Sequence, residues 1–250
     1  MEYQALLEGR NLFIGAHPDD VVIGAFGVLS ANAANSVVLD ITNGVSAFTA
    51  AQQQRSIDEL INERTGEEEI VMETLGVREV SIFDILSQES YRHMHWLIAR
   101  IADLIKLRRP DRIFTHESPQ AHPDHEVACF CVHQAVRETG YNIPILEFPL
   151  YAILDGQQRQ NCSLSPGGIR ITHAYTPSEL EARKTALAMY RSQPDLLERY
   201  LTDGEQFRVC ETPRHFNGSM ARSDYIKPWV RVAPETIHDT IRQVLRERNG

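Results

Sequence analysis

Few cysteines, few basic residues and no long apolar run characterise this chain of 250 residues. Its four cysteines, Cys129, Cys131, Cys162 and Cys210, form no C-x-x-C pair. On a helix Cys129 and Cys131 diverge, so all four read as small buried hydrophobes of a reduced cytoplasm, not as a disulfide frame. Lys and Arg number 25 against 34 Asp and Glu, for a net charge of −9, and no basic run exceeds two residues. Neither nucleic acid nor an anionic membrane would find a basic face to bind, so nucleic acid is not expected as a partner. No apolar stretch approaches the ~20 residues of a transmembrane helix. The N-terminus lacks a signal-peptide pattern, which points again to a cytoplasmic location. Internal repeats and low-complexity tracts are also missing. So is a G-x-G-x-x-G after the first strand, and with it the argument for a dinucleotide.

What is there alternates. Asn11–Ala16 reads as a strand and Val21–Asn35 as the helix after it. Ser36–Thr42 is a second strand ending at the Asn43-Gly44 turn signal. A long helix is expected from about Ala50 to Leu75, closed by Gly76, and a third strand over Glu79–Phe83. Tyr91–Leu107 carries one apolar stripe (Met94, Leu97, Ile98, Ile101, Leu104, Ile105) and is followed by Pro110. Its His93, His95 and Trp96 read as surface or packing residues. Arg112–His116 is the fourth strand, Pro123–Glu138 the next helix and Ile143–Ala152 the fifth strand. This order implies an α/β, Rossmann-like three-layer sandwich with a mostly parallel sheet. The length suits a single domain over 1–250, with a core over about 1–152 and a less regular C-terminal extension over 153–250. In that extension Asp155–Gly168 reads as an exposed loop or hairpin. Thr176-Pro177-Ser178-Glu179 is a capping box that starts a helix through Tyr190. Pro194–Leu201 reads as a short helix, Glu235–Arg248 as a terminal one, and Arg214–Trp229 as a loop that would line a pocket mouth or only connect.

Two stretches carry chemistry. Ile14-Gly15-Ala16-His17-Pro18-Asp19-Asp20 crosses the first strand-to-helix junction, and His122-Pro123-Asp124-His125 follows the fourth strand. Open α/β sheets gather their ligands at such carboxyl ends. If Pro18 opens the first helical turn, His17 and Asp20 point the same way and Asp19 is offset towards the pocket. A catalytic zinc site needs three protein ligands and an open position, commonly two imidazoles and a carboxylate. His17 and Asp20 supply two and His125 the third. The alternative is that Asp19 and Asp20 only cap a helix. Two histidines and a carboxylate also suit Fe(II) oxygenases, although Asp19 would then have no task, and a binding module without turnover would need no such set.

These motifs, in this order and spacing, resemble the LmbE/PIG-L-like family of zinc deacetylases, which includes GlcNAc-phosphatidylinositol de-N-acetylases. The similarity continues through Arg64-Thr-Gly-Glu67 with Leu75-Gly76-Val77, through Arg109-Pro110-Asp111-Arg112-Ile113, and through Lys184, Ser192-Gln193 and Glu205-Gln-Phe207-Arg208. The resemblance implies His17, Asp20 and His125 as zinc ligands, with iron(II) or another divalent ion as the variant. It also implies Asp19 as general base and His122, in protonated form, facing the developing oxyanion. Asp124 would orient His122 or cap its helix, and His116 would support the site or simply be a satisfied buried histidine. Arg64 would contact substrate or shape the site, unless it pairs with a Glu on a solvated helix face. The expected partner is a small acetylated sugar or glycoconjugate, and assembly into a homo-oligomer is left open. Two positions depart from the family pattern: Val21 stands where many members have Glu after the paired aspartates, and Tyr190 where a histidine often precedes Ser-Gln.

Overall fold

Leu12, Phe13 and Ile14 are apolar at consecutive positions, and no strand with that pattern can leave one face in water. The computed structural model, which describes residues 1–165, 167–195, 199–216 and 230–249, buries all three completely. In chain order the elements are β1 (Asn11–Gly15), α1 (Asp20–Ala31), β2 (Ser36–Asp40), α2 (Ala47–Gln53), α3 (Ile57–Leu75), β3 (Glu79–Ile82), α4 (Met94–Arg108), β4 (Arg112–His116), α5 (Pro123–Thr139) and β5 (Ile145–Phe148). There follow β6 (Tyr151–Leu154), β7 (Gln157–Gln160), β8 (Ile169–Ala174), α6 (Pro177–Leu187), β9 (Gly204–Cys210) and α7 (Pro234–Asn249).

The main sheet runs β3-β2-β1-β4-β5-β9-β8, parallel through β5 and antiparallel beyond it. Alternate residues of each central strand feed opposite cores. Leu12, Ile14, Ile113 and Ile145 pack against α4, α5 and α7, whereas Phe13, Val38, Phe114 and Leu146 pack against α1, α3 and α6. The result is the expected three-layer α/β sandwich. Strands β8 and β9, from beyond residue 153, extend the same sheet. No helix among the described residues is long and apolar enough to cross a membrane.

Several boundaries differ from the sequence reading, each for a local reason. The helix expected over Ala50–Leu75 is two helices. Gln54 turns left-handed (φ 52°), and Ser56 with Glu59 forms a capping box that restarts the chain as α3, satisfying helix-end donors that a continuous helix would not expose. The strand expected over Ile143–Ala152 ends at Phe148; after Pro149, which has no N–H for a ladder, Tyr151 begins the separate β6–β7 hairpin. Helix α1 is interrupted at Ala25 (φ −145°). The carbonyl of Ile23 accepts from buried Arg183 (2.8 Å), and the N–H groups of Gly27 and Val28 donate to Glu205 (2.8 and 3.1 Å). Most of the loop expected over Arg214–Trp229 and part of the Pro194–Leu201 helix lie outside the described residues.

Candidate active site

Strand β1 is followed by a helix on one face of the sheet and β4 by a helix on the other, so a crevice opens between their carboxyl ends. His17 to Asp20 leave β1 into it, and His116 to His125 leave β4. Gly15 makes the junction, since a Cβ there would stand 2.5 Å from Asp40 Oδ1.

Asp20 is turned back towards the strand it follows. Its Oδ2 accepts the N–H groups of His17 (2.8 Å) and Ala16 (3.2 Å). The same oxygen lies 3.1 Å from His17 Nδ1, 3.2 Å from His116 Nε2 and 3.6 Å from His125 Nε2. Burial alone would raise its pKa, but the three imidazoles hold it well below the usual carboxylate range. Asp20 is therefore ionised at neutral pH, and the helix-cap alternative fails for it.

The imidazoles are sorted by their second nitrogens. His17 Nε2 faces Asp124 Oδ2 at 3.0 Å, which puts the proton on Nε2 and leaves Nδ1 for the Asp20 side. Asp124 is anchored further by Ser87 Oγ (3.0 Å), the Gln88 N–H (2.6 Å) and Ser90 Oγ. Burial raises the Asp124 pKa, but the His17 hydrogen bond and the nearby imidazoles bring it down to about 2. The orienting role expected of Asp124 towards His122 thus goes first to His17, since Asp124 Oδ2 lies 3.7 Å from His122 Nδ1. His122 Nδ1 accepts the Asp124 N–H at 3.3 Å, which leaves the His122 proton on Nε2. Burial and the neighbouring His17 push the His122 pKa down to about 3. His122 thus has an Nε2–H to donate, and its surroundings disfavour the expected charged form. The Ala16 N–H also lies 2.9 Å from His116 Nε2, the nitrogen that faces Asp20, and the His116 ring stacks on His125 at 4.0 Å.

His125 is fully buried, and neither of its ring nitrogens has a hydrogen-bond partner among the described residues. Leaving such a group unpaired costs about 1–3 kcal/mol. One nitrogen each from His17, His122 and His125 lies within 4.8 Å of the others, as do donor atoms of Asp20, His116 and His125. The three residues expected as ligands are thus brought together, divided between two overlapping groups that share His125. The orphaned nitrogens and the mixed imidazole–carboxylate donors fit a divalent cation. A third cluster, Cys129, His133 and Glu147, also has donor spacing. There the Glu147 carboxylate is neutralised by Arg208 and Arg214, which makes it a buried ion network.

Asp19 does not cap its helix, because its side chain accepts no backbone N–H there and its φ is +103°. Its Oδ2 accepts from Arg64 Nη2 (3.3 Å) and from Gln193 Nε2. Burial and the adjacent Asp20 charge raise its pKa, against the pull of Arg64, His17 and Gln193. Pro18 lies outside α1, which begins at Asp20; that removal from the helix lets Asp19 face the pocket. Arg64 has a side chain only 13% exposed and pairs with Asp19 rather than with a glutamate on a solvated helix face. His17, Asp19, Asp20, His122, Arg64, Gln193 and Tyr200 line a cleft of about 160 Å³, which adjoins a groove of about 380 Å³ through Arg64, Gln193 and Tyr200.

Sequence reasoning did not assign Ser87, Ser90 or Glu68 to this site. The serines follow the third strand, and the rule that chemistry gathers at strand ends would have found them. Glu68 carries no such signal, since a glutamate in a helix with several others reads as solvated.

Fold and site together define a doubly wound α/β protein with a cluster of histidines and aspartates at the switch point of its sheet. The model of the family described as PIG-L, GlcNAc-PI de-N-acetylase, matches residues 12–136, and the chain belongs to that family. The zinc-inhibited form of teicoplanin deacetylase Orf2 superposes with a TM-score of 0.62 at 18% identity, covering 80% of this chain and 97% of that one. The A40926 pseudoaglycone deacetylase Dbv21 gives 0.62 at 20% identity over 83% and 99%. The N,N'-diacetylchitobiose deacetylase of Pyrococcus horikoshii gives 0.55 at 22% over 81% and 84%. At these identities the likeness is one of fold. None of the curated protein sequences compared matches the chain.

Proposed function

We propose that the protein is a zinc-dependent hydrolase that removes the N-acetyl group from an acetylated amino sugar or its conjugate. The observation that carries this reading is the pairing of a cation-shaped donor cluster with Asp19, a buried carboxylate of raised pKa directed into the same cleft. A fixed metal without turnover needs no such base. Family membership and the named substrates of the similar structures support the acetylated sugar as substrate class.

His17 through Nδ1, Asp20 and His125 would hold the ion. Asp20 and Asp124 flank His17, and their charges outweigh the effect of burial and raise its pKa, a surrounding that would equally favour a bound cation. A divalent ion at this position supplies Lewis acidity, polarising the amide carbonyl and making water a better nucleophile. Asp19 takes the proton of the attacking water and returns it to the departing amine. The Nε2–H of His122 donates to the oxygen that becomes negative, a contact typically worth about 10²–10³ in rate. Arg64 and Gln193 keep the Asp19 carboxylate aimed into the cleft, and the adjoining groove leaves room for the rest of a conjugate.

The test is a screen of N-acetylated sugars, beginning with N-acetylglucosamine and N,N'-diacetylchitobiose, for equal release of acetate and free amine by zinc-loaded protein. Zinc-dependent release is expected. Stoichiometric zinc with no release from any acetamide or other amide would overturn the reading.

A further inference from the structure

Asp19 is held in a backbone conformation that an aspartate does not choose. Its φ of +103° and ψ of −30° lie outside the regions open to residues with a Cβ. Such strain persists only where surrounding contacts impose it. The side-chain contacts to Arg64 and Gln193 fix the carboxylate but do not fix the backbone.

The Asp19 carbonyl accepts the Ile23 N–H at 2.9 Å as the first turn of α1, which fixes the side after the residue; on the side before it, the contact comes from Glu68. Its Oε2 accepts the Asp19 N–H at 3.1 Å, and the hydroxyl of Tyr190 donates to the same oxygen at 2.6 Å. Glu68 lies four residues after Arg64 on α3, so the two side chains share one helix face. That face grips both ends of Asp19: Arg64 takes the carboxylate and Glu68 takes the amide. Glu68 is fully buried and Tyr190 nearly so. No arginine, lysine or histidine pairs with Glu68 among the described residues, and burying a carboxyl group without such a partner is costly. A hydrophobic side chain of similar size would serve packing better.

We infer that Glu68, steadied by Tyr190, is a positioning residue that holds the Asp19 backbone in its strained conformation and so aims the base at the reacting centre. This inference rests on Asp19 being the base. It requires Glu68 only as an acceptor, which either protonation state provides.

The experiment compares Glu68→Leu, Glu68→Gln, Tyr190→Phe and Asp19→Asn, each zinc-loaded, for acetate release from N,N'-diacetylchitobiose or the best sugar of the screen. Glu68→Leu should lower kcat by tenfold or more, with KM within about threefold and zinc content unchanged. Glu68→Gln keeps a carbonyl acceptor and should recover most of the rate, and Tyr190→Phe should fall between. A crystal structure of Glu68→Leu should show Asp19 relaxed to negative φ, a readout independent of activity. Retention of φ near +103° in that structure, or a kcat within twofold of wild type while Asp19→Asn is inactive, would overturn the inference. Full activity of Asp19→Asn would instead remove the base assignment beneath it.

Discussion

Asp19 and Asp20 are neighbours with the same side chain and opposite surroundings. Three imidazoles keep Asp20 ionised, whereas burial and the Asp20 charge raise the Asp19 pKa. A permanently charged group suits a ligand, and one that gains and loses a proton near neutrality suits a base. The two should therefore fail differently. Asp20→Ala should lose zinc and activity together. Asp19→Asn should keep its zinc and lose about 10²–10⁴-fold in kcat, the usual contribution of a positioned base. Elemental analysis beside steady-state kinetics separates the two outcomes. Both roles are proposals suggested by the family resemblance of the motif, but the motif does not hold the reason they would differ. His116 is 96 residues from Asp20 in the chain, and only the β1–β4 pairing brings it to 3.2 Å.

At the scale of elements, the first turn of α1 carries the site while the rest of the helix is cut off from it at Ala25. Arg183 bridges the break, donating to the carbonyls of Ile23 (2.8 Å) and Tyr200 (2.9 Å). Its loss leaves the buried Ile23 carbonyl and the half-buried Tyr200 carbonyl without this donor, and empties the buried space of the side chain. Arg183→Ala should destabilise the protein by at least about 2 kcal/mol, since each unpaired buried group costs roughly 1–3 kcal/mol. By contrast Ser56→Ala, which removes the N-cap of α3, should cost about 1 kcal/mol. Urea unfolding of both variants checks the order, and equal midpoints would contradict it. The capping boxes at Ser56 and Thr176 show how local signals behave. The one at Thr176 shows directly in its spacing, whereas that at Ser56 is hidden inside a periodic stretch that looks like one helix. The break at Ala25 has no local signal, because α6 and β9 impose it from elsewhere in the chain.

Across the whole molecule, Glu147 joins the central sheet to the last third of the chain. It accepts from His133 Nε2 (2.7 Å), Arg208 Nε (2.8 Å) and Arg214 Nη1 (3.0 Å). Burial raises its pKa, but the His133 hydrogen bond and the two guanidiniums bring it down to about 2. A carboxylate depressed in the folded state contributes fully above its unfolded pKa, about 4.3, and its contribution fades as pH falls towards 2. The amount at stake is about 3 kcal/mol at 1.36 kcal/mol per unit. Glu147→Gln should be less stable than wild type at pH 7, and the gap should narrow between pH 4 and pH 2 in thermal melts. A gap that stays constant across that window would refute the assignment.

The alternation of elements, the parallel sheet and the two motifs at strand ends are legible in the chain before it folds. These depend on local periodicity, turn residues and short spacings, which a chain carries whatever its remote contacts. Which histidine nitrogen faces which carboxylate, that Asp124 serves His17 before His122, and that Asp19 stands at positive φ with its N–H on Glu68 emerge only on folding. Those outcomes depend on atoms tens of residues apart meeting in a space of low dielectric, where a single hydrogen bond sets a tautomer or a charge.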